Sequence, residues 1–322
     1  MTVIRWGMIG CGNVTERKSA PAYQQVDGFA LHGIFNRTRA KAEGYAARHG
    51  VPRIFDSAAD LIHAPDIDAV YIATPPDSHE AYAIEVARAD KPCCIEKPIA
   101  PDHAACVRIR DAFAERGVPL FVAYYRRSLP RFRQVQSWID EGAIGTVRHI
   151  HWTLTKPAGP ADLSQDNWRV DANIAPGGYF DDLASHGLDL FCWLFGEVEE
   201  VAGFAVNQQG RYGAADAVTG CWLHKGGVTG SGSWNFGAAE RRDRVEITGS
   251  AGRIVFSIFD EAPFRLTRGD ESLESVIANP QAIQLFHVEA MRDHLAGRLI
   301  HPSTGDSGAH TAWVMDRILS RR

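Results

Sequence analysis

Apolar positions in the first 123 residues fall in short unbroken runs, separated by segments of helical period. The runs at 3–9, 30–35, 69–73, 92–95 and 120–123 read as strands buried on both faces. Between them, 14–25, 39–49, 57–62, 78–89 and 102–115 carry apolar residues at helical spacing. Buried strands alternating with crossover helices predict a parallel, doubly wound α/β sheet. The rhythm changes after Tyr125. A helix pattern at 130–141 precedes strands at 146–154, 198–206, 217–224, 228–236, 244–248 and 253–257. The turns Lys225-Gly226-Gly227 and Ser250-Ala251-Gly252 favour antiparallel hairpins. A second, α+β domain is therefore expected from residue 124, giving domains 1–123 and 124–322. Residues 156–160 read as a surface loop, and 309–319, with Trp313, Val314 and Ile318, as a helix packing its apolar side.

The first strand runs into Gly10-Cys11-Gly12-Asn13-Val14-Thr15, which opens the first helix. A first glycine permits the tight turn, a second lets backbone approach a pyrophosphate, and the helix start supplies free N–H groups. Thr15 stands where a third glycine or alanine is usual. The second strand ends in Asn36-Arg37-Thr38. An NAD site places a carboxylate there for the ribose 2′-hydroxyl. Here Arg37, with Thr38 and Lys41 as further donors, suits a 2′-phosphate. NADP is therefore favoured, and NAD remains possible.

Two further motifs carry chemistry. Strand 92–95 ends in Glu96-Lys97-Pro98, and a lysine at that end of a parallel strand points into the ligand crevice. Proline after it disfavours helical geometry at Lys97 and sets the chain's exit. In Gly177-Gly178-Tyr179-Phe180-Asp181-Asp182-Leu183-Ala184-Ser185-His186, a helix runs on to Gly196. Asp182 and His186 are four apart and share one edge of it, whereas Asp181 points elsewhere. A carboxylate beside an imidazole raises its basicity, as a general base for an alcohol requires. Asp189 is either a second partner or solvated.

Composition narrows the class. The 322 residues suggest two domains, at about 100–200 residues each. A net charge of −5 gives no reason to expect nucleic acid. Six cysteines without a Cys-x-x-Cys pair suit a reducing compartment rather than a disulfide framework or zinc site. No signal-like start and no apolar run near the ~20 residues of a membrane span are present, so a soluble, cytoplasmic protein without membrane association is expected. His149-x-His151 puts two histidines on one strand face, read as sheet surface rather than metal site.

The glycine turn, Ala73-Thr74-Pro75-Pro76 with His79, Glu96-Lys97-Pro98, Tyr125-Arg126-Arg127, Asn167-Trp168-Arg169, Asp182-x-x-x-His186 and Ile247-Thr248-Gly249-Ser250-Ala251-Gly252 occur in an order and spacing that cover nearly the whole chain. The set resembles the glucose–fructose oxidoreductase / inositol dehydrogenase / rhizopine-catabolism family. The resemblance implies an N-terminal Rossmann domain and a C-terminal domain with an open, largely antiparallel sheet. It implies that Lys97, Asp182 and His186 are catalytic, acting on a secondary alcohol or ketone of a sugar, cyclitol or related polyol. Gly10, Gly12, Asn13, Val14, Asn36, Arg37, Thr38, Thr74, Pro75, His79, Glu96 and Lys97 would serve the cofactor. Tyr125, Arg127, Trp168 and Arg169 would face substrate, in a cleft shaped by the loop 156–175. The outer sheet face would pair copies into a homodimer or homotetramer. Alternatives are a non-catalytic dinucleotide-sensing regulator, which needs no Lys97/Asp182/His186 set, and redox-assisted glycoside cleavage.

Overall fold

The structure is a computed structural model that describes residues 3–164 and 167–321. The chain forms two units. The first takes the residues up to Leu129 together with Pro280–Ala309; the second takes Pro130–Asn279 and the residues from His310 onward.

In the first unit, strands β1 (Ile4–Ile9), β2 (Phe29–Phe35), β3 (Arg53–Ile54), β4 (Ala69–Ile72), β5 (Cys93–Ile95) and β6 (Leu120–Val122) form a parallel sheet of order β3-β2-β1-β4-β5-β6. The helices are α1 (Asn13–Arg17), α2 (Ala20–Gln25), α3 (Arg39–His49), α4 (Ala58–His63), α5 (His79–Arg88) and α6 (His103–Arg116). Strand order reverses at β1/β4, and a crevice opens at the carboxyl ends of strands at such a point. Trp6, Met8, Tyr23, Ile34, Tyr71 and Cys94 are fully buried in one cluster. The helix expected over 14–25 is two short helices. Pro21 has no N–H to give the carbonyl of Arg17, so α1 ends and a new helix starts at Ala20.

In the second unit, α7 (Pro130–Asp140) leads to β7 (Val147–Thr155), α8 (Tyr179–Phe195) and β8 (Val198–Val206). Then come β9 (Ala217–His224), β10 (Thr229–Asn235), β11 (Arg242–Gly249), β12 (Arg253–Phe256), β13 (Phe264–Arg268) and β14 (Glu271–Ser275). The sheet order is β14-β13-β12-β11-β7-β10-β9-β8, antiparallel except for β10 against β7. The buried face is aromatic: Trp234 meets Trp152 and Phe180 edge-on at 5.5 and 4.9 Å. α8 lies close over this layer, because a Cβ on Gly187 would sit 2.4 Å from the Trp152 ring. On the outer face, the rings of His149 and His151 bond the hydroxyls of Thr229, Ser231 and Thr153. Phe204 on β8 is 80% exposed.

The chain then returns to the first unit with α9 (Leu285–Leu295), and α10 (Gly305–Ile318) follows. Residues 280–309, expected with the second domain, thus pack with the first. β6 is an edge strand whose open backbone groups need partners. The Ser303 hydroxyl donates to the Val122 carbonyl at 2.8 Å, Val122 N–H donates to Ser303 O at 3.3 Å, and Phe121 bridges Thr304. Among the described residues no helix is long and apolar enough to cross a membrane.

The returning segment buries two imidazoles, His287 and His301, whose rings meet edge-on at 4.6 Å. Burial holds both in the neutral form, His287 well below its usual value and His301 at about 4. In the unfolded chain such rings titrate near 6.5. Below pH 6.5 the unfolded chain therefore binds protons that the folded chain refuses. This contribution to stability is complete above 6.5 and is lost as pH falls toward 4. His301 alone accounts for about 3 kcal/mol over that window. Thermal unfolding from pH 7.5 to 4.5 at fixed ionic strength should show the loss, with a shallower slope for His301→Gln. Parallel slopes for the two proteins would exclude the imidazole as the cause.

Candidate active site

The crevice of the first unit starts with a steric requirement. Gly10 has φ +101°, and a Cβ there would lie 2.7 Å from the Ala73 carbonyl oxygen, so the exits of β1 and β4 touch only through glycine. At Gly12 a Cβ would meet nothing within 4 Å, so the space beside the turn is open to a ligand. Asn13 and Val14 begin α1. Thr15 is fully buried, and its hydroxyl donates to the Gly12 carbonyl at 2.8 Å. The side chain thus closes the turn from within, and the Tyr45 hydroxyl clamps its carbonyl at 3.0 Å.

One groove is lined by Gly10, Cys11, Gly12, Asn36, Arg37, Thr38, Lys41, Thr74 and Pro75. Tyr82 of α5 also lines it, a residue that sequence reasoning missed although the helical period places it one turn after His79. Burial pushes the Cys11 thiol up to about 11, so no thiolate faces the groove at neutral pH. The Asn36 side chain accepts from Thr38 N–H at 2.9 Å and shapes the turn after β2. Nearby arginines are occupied: Arg39 pairs with Glu43 and Asp56, and Arg48 with Glu16. Arg37 and Lys41 have no carboxylate partner among the described residues.

His79 sits beneath this wall rather than on it. It is buried, with ring nitrogens 2.7 Å from the Thr74 carbonyl and 3.0 Å from that of Ile99, and burial lowers its pKa. It ties the exit of β4 to the chain just beyond Lys97. Glu96, 8% exposed, accepts from the Tyr71 hydroxyl at 2.6 Å, the Gln284 amide at 2.8 Å and Lys97 N–H at 3.3 Å. Lys97 is half-buried at the end of β5, and its bond to Pro98 is cis. Tyr125 and Arg127 lie in the buried turn after β6, where an Arg127 guanidinium nitrogen donates to the Pro302 carbonyl at 2.7 Å.

In the second unit, Gly178 has φ +65°, and a Cβ there would lie 2.2 Å from the Ala215 carbonyl oxygen. This turn starts α8 at Tyr179 and sets the rotation of the residues that follow. Asp181 faces away from the edge shared by Asp182 and His186; it accepts from Gly177 N–H and pairs with Arg321 at 2.8 Å each, while burial pushes its pKa up. Asp182, 7% exposed, accepts from Arg169 Nε at 2.5 Å, and the Arg169 guanidinium also lies 4.7 Å from the Trp168 ring. His186, one turn along and 6% exposed, meets Phe259 edge-on at 5.7 Å. Asp189 is fully buried rather than solvated, 3.3 Å from the Thr311 hydroxyl. The pairing of Arg169 with Asp182 was missed, because twelve intervening residues hide it from any local pattern. Among the described residues no group of three or more His, Cys, Asp or Glu could hold a metal ion.

Residues 4–124 match the model of the oxidoreductase family with an NAD-binding Rossmann fold, and residues 132–255 match the GFO/IDH/MocA C-terminal domain. An oxidoreductase of Formosa agariphila is 34% identical over 317 residues, 97% of each chain. An inositol 2-dehydrogenase of Acidothermus cellulolyticus is 31% identical over 65% of this chain and 59% of its own. Two solved structures share the fold. An aldose-aldose oxidoreductase from Caulobacter crescentus has TM-score 0.86 at 22% identity, over 99% of this chain and 97% of its own. A 3-ketoreductase from Actinomadura kijaniata, in complex with NADP and TDP-benzene, has 0.85 at 22%, over 98% and 97%. The class is thus an NAD(P)-binding oxidoreductase. The chain belongs to the Gfo/Idh/MocA family. The open side of Gly12 and the groove along Asn36–Thr38 fit the dinucleotide this class uses.

Gln284 follows as a structural determinant of the Lys97 end. Gln284→Leu leaves the buried Glu96 carboxylate short of a donor, and should cost about 1–3 kcal/mol in urea unfolding. A Gln284→Leu protein as stable as the parent would show that this bond contributes nothing.

Proposed function

We propose that the protein interconverts a secondary alcohol and a ketone on a sugar, cyclitol or related polyol, using NADP in preference to NAD. The observation that carries the reading is the Asp182 carboxylate, held by Arg169 one helical turn from His186. Relatives named as an inositol 2-dehydrogenase and as a 3-ketoreductase support the substrate class.

The groove residues Gly10, Gly12, Asn36, Arg37, Thr38, Thr74 and Pro75 would hold the dinucleotide, with the Lys97 end of β5 at its nicotinamide. When bound, the nicotinamide supplies or accepts the hydride. The protein's own work is to orient the substrate carbon and move one proton. In oxidation, His186 takes the proton from the substrate hydroxyl oxygen, directly or by way of Lys97. The Lys97 ammonium stabilises the negative charge that develops there. In reduction the same groups return the proton. Asp182 favours the protonated imidazole and holds its orientation. Arg169 bonds the Asp182 carboxyl and holds it in place, and Trp168 offers an apolar face to a sugar ring. Arg37 and Lys41, which have no carboxylate partner among the described residues, support the 2′-phosphate of NADP.

Single-turnover hydride transfer tests the catalytic roles, after a substrate screen on myo-inositol, D-glucose, D-mannitol and their keto forms. Lys97→Ala and His186→Ala should each slow it by about 10²–10⁴-fold. Near-parental rates in both variants would remove them from the chemistry. Nicotinamide fluorescence titration addresses the cofactor separately. NADPH should bind more tightly than NADH, and Arg37→Ala should weaken NADPH about tenfold, or ~1.4 kcal/mol, while leaving NADH unchanged. Equal affinity for the two cofactors in the parent would overturn the preference.

A further inference from the structure

Among the described residues between β7 and α8 the regular segments are two single-turn 3₁₀ helices, Pro160–Leu163 and Trp168–Val170. Among those residues no α-helix or sheet ladder sets where Trp168 and Arg169 lie. Side chains do, starting from a buried carboxylate. Asp162 is 1% exposed. Its Oδ2 accepts from Gly159 N–H at 2.7 Å, and its Oδ1 accepts from the Tyr179 hydroxyl at 2.7 Å. Lys156 Nζ lies 3.4 Å from Oδ1 and 3.7 Å from the centre of the Tyr179 ring. The Tyr179 oxygen accepts from Asn167 Nδ2 at 3.0 Å, which also donates to the Ala161 carbonyl. Asn167 Oδ1 accepts from Arg169 N–H at 3.3 Å, and Arg169 Nε reaches Asp182. The path from Asp162 to Asp182 is unbroken.

The charge at its start gives every bond a direction. Burying a carboxylate costs several kcal/mol unless donors surround it. Burial opposes the Asp162 charge, but Gly159 N–H, the Tyr179 hydroxyl and Lys156 outweigh it and hold the carboxyl below its usual range. A carboxylate only accepts, so Tyr179 must donate toward Asp162 and turn its lone pairs to Asn167. Asn167 must then present its amide nitrogen to Tyr179 and its oxygen to Arg169 N–H. An asparagine at 162 would fill the same volume but could donate as well, and the order would be lost. Tyr179 and Asp182 are three apart on α8, hence on one face, so both ends of the path rest on the same helix.

We propose that Asp162, Tyr179 and Asn167 are positioning residues: by ordering the loop they fix Arg169 against Asp182 and set the shape that selects the polyol. This rests on the reading of Asp182 and His186 given above. Tyr179→Phe keeps the ring under Lys156 and removes one hydroxyl; Asp162→Asn tests the direction of the path. In both, kcat/KM for the polyol that the parent oxidises fastest should fall about ten- to a hundredfold, mainly through KM. The acid limb of the kcat/KM profile should move to higher pH, because Asp182 loses the hold of Arg169. Amides of 156–175 should exchange with deuterium faster in the free protein, while NADPH affinity stays within about twofold of the parent. If Asp162→Asn fails to fold, Tyr179→Phe decides alone. Parental KM, acid limb and loop exchange in Tyr179→Phe, with Lys97→Ala and His186→Ala inactive, would overturn the relay by itself. Turnover surviving in Lys97→Ala and His186→Ala would overturn the catalytic reading beneath it.

Discussion

The buried carboxylate of Glu96 joins three segments: β4 through Tyr71, the exit of β5 through the Lys97 N–H, and the returning chain through Gln284. An anion withdrawn from water is tolerated only where donors replace the water, so each of these segments has to be in place for the others to hold. The exit of β5, which carries Lys97, is thereby anchored by directional bonds as well as by apolar packing. His79 does the same from the other side, with its ring between the carbonyls of Thr74 and Ile99. The first unit thus fixes the end of the strand bearing Lys97, while the glycine turn beside it keeps backbone clear of the groove.

Much of this was legible from the chain. Strands buried on both faces stand out as continuous apolar runs, and β1, β2, β4 and β9 lie within a residue of their expected limits. The glycine turn, the lysine after β5 and the Asp182/His186 edge of α8 follow from local spacing, and local spacing is what helices and turns obey. What escaped has no local signature. β3 is two residues long, and β14, Glu-Ser-Leu-Glu-Ser, is exposed almost throughout. β14 is held by the turn at Gly269 and a cross-strand Arg265–Glu274 pair rather than by a buried face. The return of 280–309 to β6 and the meeting of Arg169 with Asp182 are tertiary events. Thr15 departs from the glycine pattern in sequence, yet its hydroxyl completes the same turn.

The adjacent acids Asp181 and Asp182 show how one helix can carry so much buried polarity. Successive helical residues point about 100° apart. Asp181 is therefore compensated by Arg321 on one side and Asp182 by Arg169 on another, rather than the two sharing a site and repelling. Both lie in the first turn of α8, where the helix dipole favours negative charge. His186 and Asp189 follow on the same helix, whose placement is fixed by Gly187 against Trp152. α8 is thus a rail set by the aromatic core, and Asp182 and His186 inherit its placement.

The loop before it is of a different kind. Its hold on α8 is a directed series of hydrogen bonds among a few side chains. The placement of α8 and the shape of the loop are therefore set by separate physical means, close packing for one and hydrogen-bond direction for the other. Changes at Lys156, Asp162 or Asn167 act on the bonds of that loop, while Asp182 and His186 stay on the same helical edge. The reverse does not hold, since a bulkier residue at Gly187 would lift α8 from Trp152 and move Asp182, His186 and Asp189 together.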